Sequence, residues 1–145
     1  MKIPRFFPYF SGFHLVFKVI LAISTLGWAR AIAFFPFVFY KNEHIRSNTL
    51  IRCHETIHIH QQRECGMVGI VLYLLIGLVL NDWICALPAI FLFYEIYLLN
   101  WLINIPRFGR KAYKMTGFER EAKLNANIYG HYILRRPFDW IKYIV

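Results

Sequence analysis

Between Arg63 and Arg107 the chain has no lysine or arginine, and that gap limits its folds more than any other feature. Inside it lie two apolar runs, 65–80 and 84–105, separated by Asn81, Asp82 and Trp83. As a helix, the second run is about 33 Å long at ~1.5 Å per residue, enough to cross a bilayer core of about 30 Å. The first is short alone but can continue a helix that begins before Glu64. The pair reads as a membrane hairpin with its tip at 81–83. All 17 Lys and Arg lie outside the gap and flank both feet. The positive-inside tendency then puts 41–63 and 107–123 in the cytoplasm and the tip outside. A multi-pass protein of the cytoplasmic (inner) membrane is expected, with the lipid bilayer as its first partner. Glu95 is the one charge in the second run; an intramembrane carboxylate is costly, so a neutral, hydrogen-bonded side chain is expected there.

Composition agrees. The 145 residues are 58% hydrophobic and 17% charged, against about 45–50% and about 25% for soluble domains. Disorder is excluded, and so short a chain could not hide this much apolar surface from water. The net charge of +9 suits an anionic membrane surface. No nucleic-acid partner is expected, because the basic residues flank apolar runs and do not interleave with aromatics along a stripe. The length fits a single membrane-embedded domain, 1–145.

The fold expected is a mainly α integral membrane protein: the helical hairpin plus one N-terminal membrane or interfacial helix. That helix falls at 13–29, after Lys2 and Arg5, and carries Lys18; no small-residue cleavage site marks it as a signal peptide. Residues 31–40 (AIAFFPFVFY) are aromatic and β-branched around Pro36, which predicts a short extended or edge-strand segment. Cys53, Cys65 and Cys85 are odd in number and have no C-x-x-C spacing, so no disulfide framework is expected. Cys53 reads as a buried thiol.

The chemistry lies at His54-Glu55-Thr56-Ile57-His58, an H-E-x-x-H sequence. Two histidines four apart on a helix project from one face, close enough to hold one ion. Neutral imidazoles suit zinc at ~2.0–2.1 Å. Glu55, rotated about 100° from His54, flanks the metal and can take a proton from a water that zinc has acidified. Asn48 or Thr49 can cap this helix, and nothing up to Cys65 breaks it. The same helix would then enter the membrane, placing the metal on the cytoplasmic side. Gln62, four after His58, is expected to brace a ligand by hydrogen bonding. His60 is rotated about 200° from His58 and is not expected to ligate.

A catalytic zinc takes a third protein ligand and keeps one position open. The acidic and imidazole groups downstream are Glu95, Glu119, Glu121, His131 and Asp139. Glu95 is too deep along its helix, whereas 117–122 returns to the side that holds His54. Thr116 with Glu119 is also a capping box, and Glu119 with Lys123 a possible i, i+4 pair. On spacing alone, Glu119 and Glu121 are equal candidates. His131 and Tyr113 are candidate donors to a transition-state oxyanion.

His54–Gln62 (HETIHIHQQ), an apolar hairpin and Phe118–Ala122 (FEREA) together resemble a group of small bacterial membrane proteins regarded as zinc metallopeptidases. More distantly they are similar to gluzincins, including prenyl-protein CAAX-type endopeptidases and ImmA-type antirepressor peptidases. The resemblance implies a zinc-dependent hydrolase acting on a peptide or protein substrate. It also implies that the Glu of an E-x-x-A-[DN] pattern is the third ligand, which favours Glu119 over Glu121. Ala122 keeps the pattern; Lys123 departs from it. In gluzincins an extended segment beside the site can pair with substrate, a part open to 31–40; the equal alternative is that its aromatics only sit at the membrane interface. The competing expectation is a non-enzymatic small membrane protein with a structural or vestigial metal site. Membrane di-iron chemistry needs more histidines than the six present.

Overall fold

A computed structural model of the chain describes residues 30–128 and 130–144, with Tyr132 defined by its backbone alone. The helix expected at 13–29 lies outside them. The described residues are mostly helical, with one short two-stranded sheet.

Residues 31–40 form a hairpin and not one extended segment. Strands β1 (Ala31–Phe34) and β2 (Phe37–Tyr40) run antiparallel, Ala31 opposite Tyr40 and Phe34 opposite Phe37. Pro36, which has no N–H for a ladder, sits in the turn after a cis Phe35–Pro36 bond. A short helix, α1 (Glu43–Ser47), follows, capped by Asn42. Then α2 (Thr49–Leu80) runs unbroken for 32 residues. Asn48 starts it, its Oδ1 accepting from the Ile51 N–H at 3.2 Å. Asn81 stops it in the left-handed conformation, which a short polar side chain tolerates.

The second apolar run is not one regular helix. Asp82 caps α3 (Trp83–Ala86) by accepting from the Ile84 and Cys85 N–H groups. Pro88 then falls at the start of a 3-10 turn (Leu87–Phe91), and only afterwards does α4 (Leu92–Phe108) begin. Two helical stretches, Thr49–Leu80 and Trp83–Lys111, are long and apolar enough to cross a membrane. They meet closely because α2 has glycine where they touch. A Cβ on Gly69 would collide with the Ala89 carbonyl, and one on Gly77 with the Trp83 ring. Small residues let helices approach in this way where lipid gives no hydrophobic drive.

Burial changes character along α2. From Cys53 to Cys65 one face is packed inside the protein, whereas Met67, Leu78 and Val79 are 56%, 69% and 80% exposed. That outer surface is apolar, the reverse of a soluble helix. Glu95 departs from expectation: it is exposed, and its side chain has no hydrogen bond to the described residues. The inward face of α4 is Phe93, Ile96, Tyr97, Asn100 and Asn104, and Glu95 is rotated off it.

Beyond α4 come α5 (Gly117–Asn125), α6 (His131–Leu134) and a 3-10 turn at Asp139–Tyr143. The apolar core sits where these fold back on α2 and α4. Phe118 is its centre, 4.3 Å from the Trp140 ring and 4.7 Å from Phe93, with Cys65 beside them. Cys53 and Cys65 are free and buried, and Cys85 is free and exposed.

Candidate metal centre

The core residue Phe118 is followed by Glu119, so anchoring one aims the other. Thr116 caps α5, its Oγ1 accepting from the Glu119 N–H at 3.4 Å, and the buried Asn100 accepts from the Gly117 N–H at 2.8 Å. Thr116 is therefore the N-cap, but the expected capping box is only half formed: the Thr116 N–H donates to the Tyr113 carbonyl, and the Glu119 carboxylate turns away from Lys123 and toward α2. Its Oε1 lies 3.3 Å from His58 Nε2 and its Oε2 3.6 Å from His54 Nε2; the two Nε2 atoms are 3.1 Å apart. Zinc bonds of ~2.0–2.1 Å in a tetrahedron put ligand atoms about 3.3–3.4 Å apart. With one Glu119 oxygen facing each imidazole, the three side chains form a triangle with separations of that size, and three protein ligands leave one position open.

Glu119 is held from the other side by two phenols. Tyr113 donates to Oε1 at 2.7 Å and Tyr97 at 3.1 Å. Burial pushes the Glu119 carboxyl up. The hydrogen bond and charge of His58, then His54 and the Tyr113 hydroxyl, outweigh it and bring the group down to about 2. It is thus present as the carboxylate that a metal needs. Burial and the Glu119 charge push the Tyr113 phenol well above its ordinary value, so it stays a donor. Glu55 is buried and outside the triangle, against β1, with the Ala33 backbone within hydrogen-bonding reach.

Behind the histidines the structure differs from the sequence expectation. Gln62 braces the β-hairpin, not a ligand: Oε1 accepts from the Phe35 N–H at 2.6 Å and Nε2 donates to the Ala33 carbonyl at 2.8 Å. This occupies the edge of β1 at Ala33 and Phe35, where substrate pairing was expected. The residue on His58 is Gln61, with Oε1 2.7 Å from Nδ1. Glu121 is fully buried and lies outside the triangle, its Oε1 accepting from Arg135 Nε at 2.7 Å and Oε2 from Arg135 Nη2 at 3.1 Å. Arg135 also pairs with Glu64, whose Oε2 accepts from the Phe138 N–H at 2.9 Å. Burial disfavours the guanidinium charge, but Glu121 and Glu64 hold its pKa above the ordinary value.

His131 lies 3.9 Å from Glu121, separated from the triangle by Glu121 and Gln61, and is badly placed for an oxyanion there. Tyr113 is beside the triangle, on Glu119. His60 is half-buried and not part of it. Glu121, His131 and Asp139 form a second group of ligand-type atoms within 4.8 Å of one another. Both its carboxylates already carry a cation, Arg135 on Glu121 and Lys142 on Asp139, so a metal would meet neutralised charge. Tyr97, Gln61, Glu64 and Arg135 were not anticipated from sequence. Only Gln61 left a local signal, lying three residues after His58 on a neighbouring part of the helix surface. Compared with known proteins, the chain is matched by no family model, no curated protein and no solved structure.

Proposed function

We propose that the protein is a membrane-bound zinc metallopeptidase that hydrolyses a peptide bond at the cytoplasmic face of the inner membrane. The observation carrying this reading is the convergence of His54 and His58 Nε2, 3.1 Å apart, on the two Glu119 carboxylate oxygens, Oε2 at 3.6 Å and Oε1 at 3.3 Å, with Glu55 buried close by as a non-ligand carboxylate. When bound, zinc would supply Lewis acidity and bring the pKa of a water down to about 7. Glu55 accepts the proton of the attacking water and returns it to the leaving amine. Tyr113 and Tyr97 hold Glu119 in place. The apolar outer surface of α2 and the Lys/Arg-free hairpin support the membrane setting.

Metal analysis by mass spectrometry on detergent-purified protein tests the first half: one zinc per chain is expected, and a chain that purifies without it and takes up none sinks the reading. Peptide release in lipid tests the second. Zinc uptake with no hydrolysis of a diverse peptide library would leave a structural metal site and no peptidase.

A further inference from the structure

Gln61 has one amide, and its surroundings admit only one orientation. Its Nε2 stands 3.2 Å from the Phe118 carbonyl and 2.9 Å from Glu121 Oε2. Carbonyl and carboxylate oxygens only accept, so the amide nitrogen must face them. Oε1 is then left toward His58 Nδ1 at 2.7 Å. An amide oxygen also only accepts, so Nδ1 must carry a hydrogen. A metal takes the neutral imidazole, which has a single N–H; with that hydrogen on Nδ1, Nε2, which points at His54 and Glu119, is the nitrogen that offers its lone pair once the ring is neutral. Water cannot relieve the constraint, since Gln61 and Glu121 are both 0% exposed. Glu121 cannot turn away either, because Arg135 holds both its oxygens.

We infer that Gln61, oriented by Glu121, is a positioning residue that fixes His58 in the tautomer whose Nε2 is free to bind a divalent metal. The inference rests on the metal reading above and extends it through a chain from Arg135 to Glu121 to Gln61 to His58. A free histidine in water prefers the opposite tautomer, so without the clamp the ring would present hydrogen to the metal and would have to rearrange.

The test uses full-length protein in detergent, labelled with ¹⁵N-histidine, metal-free and at a pH where the rings are neutral. Nitrogen spectra report which ring atom of His58 is protonated, and competition with a chromophoric chelator gives zinc affinity. Wild type should show hydrogen on Nδ1. Gln61→Met should lose that preference and bind zinc 10- to 100-fold more weakly, the usual cost of removing a ligand's partner. Glu121→Gln, whose side chain can turn either an oxygen or an NH₂ toward Gln61, should weaken the Nδ1 preference with a smaller loss of zinc affinity than Gln61→Met. Hydrogen on Nε2 in wild type, or undiminished zinc affinity in Gln61→Met, overturns the inference. An Nδ1 preference undiminished in Glu121→Gln overturns the part given to Glu121. If Gln61→Met does not fold, the wild-type spectrum and Glu121→Gln still decide. A wild type with Nδ1–H that takes up no zinc overturns the metal reading alone.

Discussion

Glu119 and Glu121 stand two positions apart on α5, about 200° around its axis, and so face different surroundings. Glu119 meets the histidines and Glu121 meets Arg135. Glu119→Gln should therefore lose zinc affinity and activity together, since a ligand carboxylate supplies charge to the ion. Glu55→Gln should keep the zinc and lose about 10²–10⁴-fold in turnover, the share of general acid–base catalysis. Zinc titration and peptide release on the two variants separate these outcomes, and wild-type turnover in Glu55→Gln would exclude the base. Arg135→Met strands Glu64 and Glu121 as buried charges; it should cost about 3–5 kcal/mol, read as a lower unfolding temperature in detergent. The two histidines were legible because their spacing is local. The choice between the two glutamates was not, because a helix start and an E-x-x-A pattern do not say which side faces α2. Gln61 against Gln62 failed for a similar reason: their partners, Phe118, Glu121 and Ala33, lie 29 to 60 residues away along the chain.

Helix α2 was the most legible element, because Asn48, an uninterrupted apolar run and the Asn81 stop mark it locally. The hairpin at 31–40 was half legible. Its composition gave an extended backbone, while Pro36 set the turn that splits it. The break at Pro88 was overlooked inside a run that reads as continuously apolar. Contact between the two long helices depends on Gly69 and Gly77, two helical turns apart on one face of α2. Gly69→Val puts side-chain atoms into the Ala89 carbonyl. Overpacking of this kind costs about 1–3 kcal/mol. Thermal unfolding in detergent should report it, and an unchanged midpoint would mean that the helices do not pack here.

At the scale of the whole molecule, the three cysteines already provide a topology probe. Cys85, at the hairpin tip, is exposed, while Cys53 and Cys65 are buried. In intact cells an impermeant maleimide should label Cys85 from outside, and labelling only after the cytoplasmic face is opened would reverse the orientation. A second consequence follows from α2 being one rod without a joint. His58 precedes Met67, where the exposed apolar surface begins, by nine residues, a rise of about 13–14 Å. The rod is then a ruler: a substrate anchored in the same bilayer and drawn out as an extended strand covers that height in about four residues at ~3.3 Å each. Cut positions mapped by mass spectrometry on anchored peptides with spacers of graded length should stay at that fixed distance from the membrane, whatever residues the spacer places there.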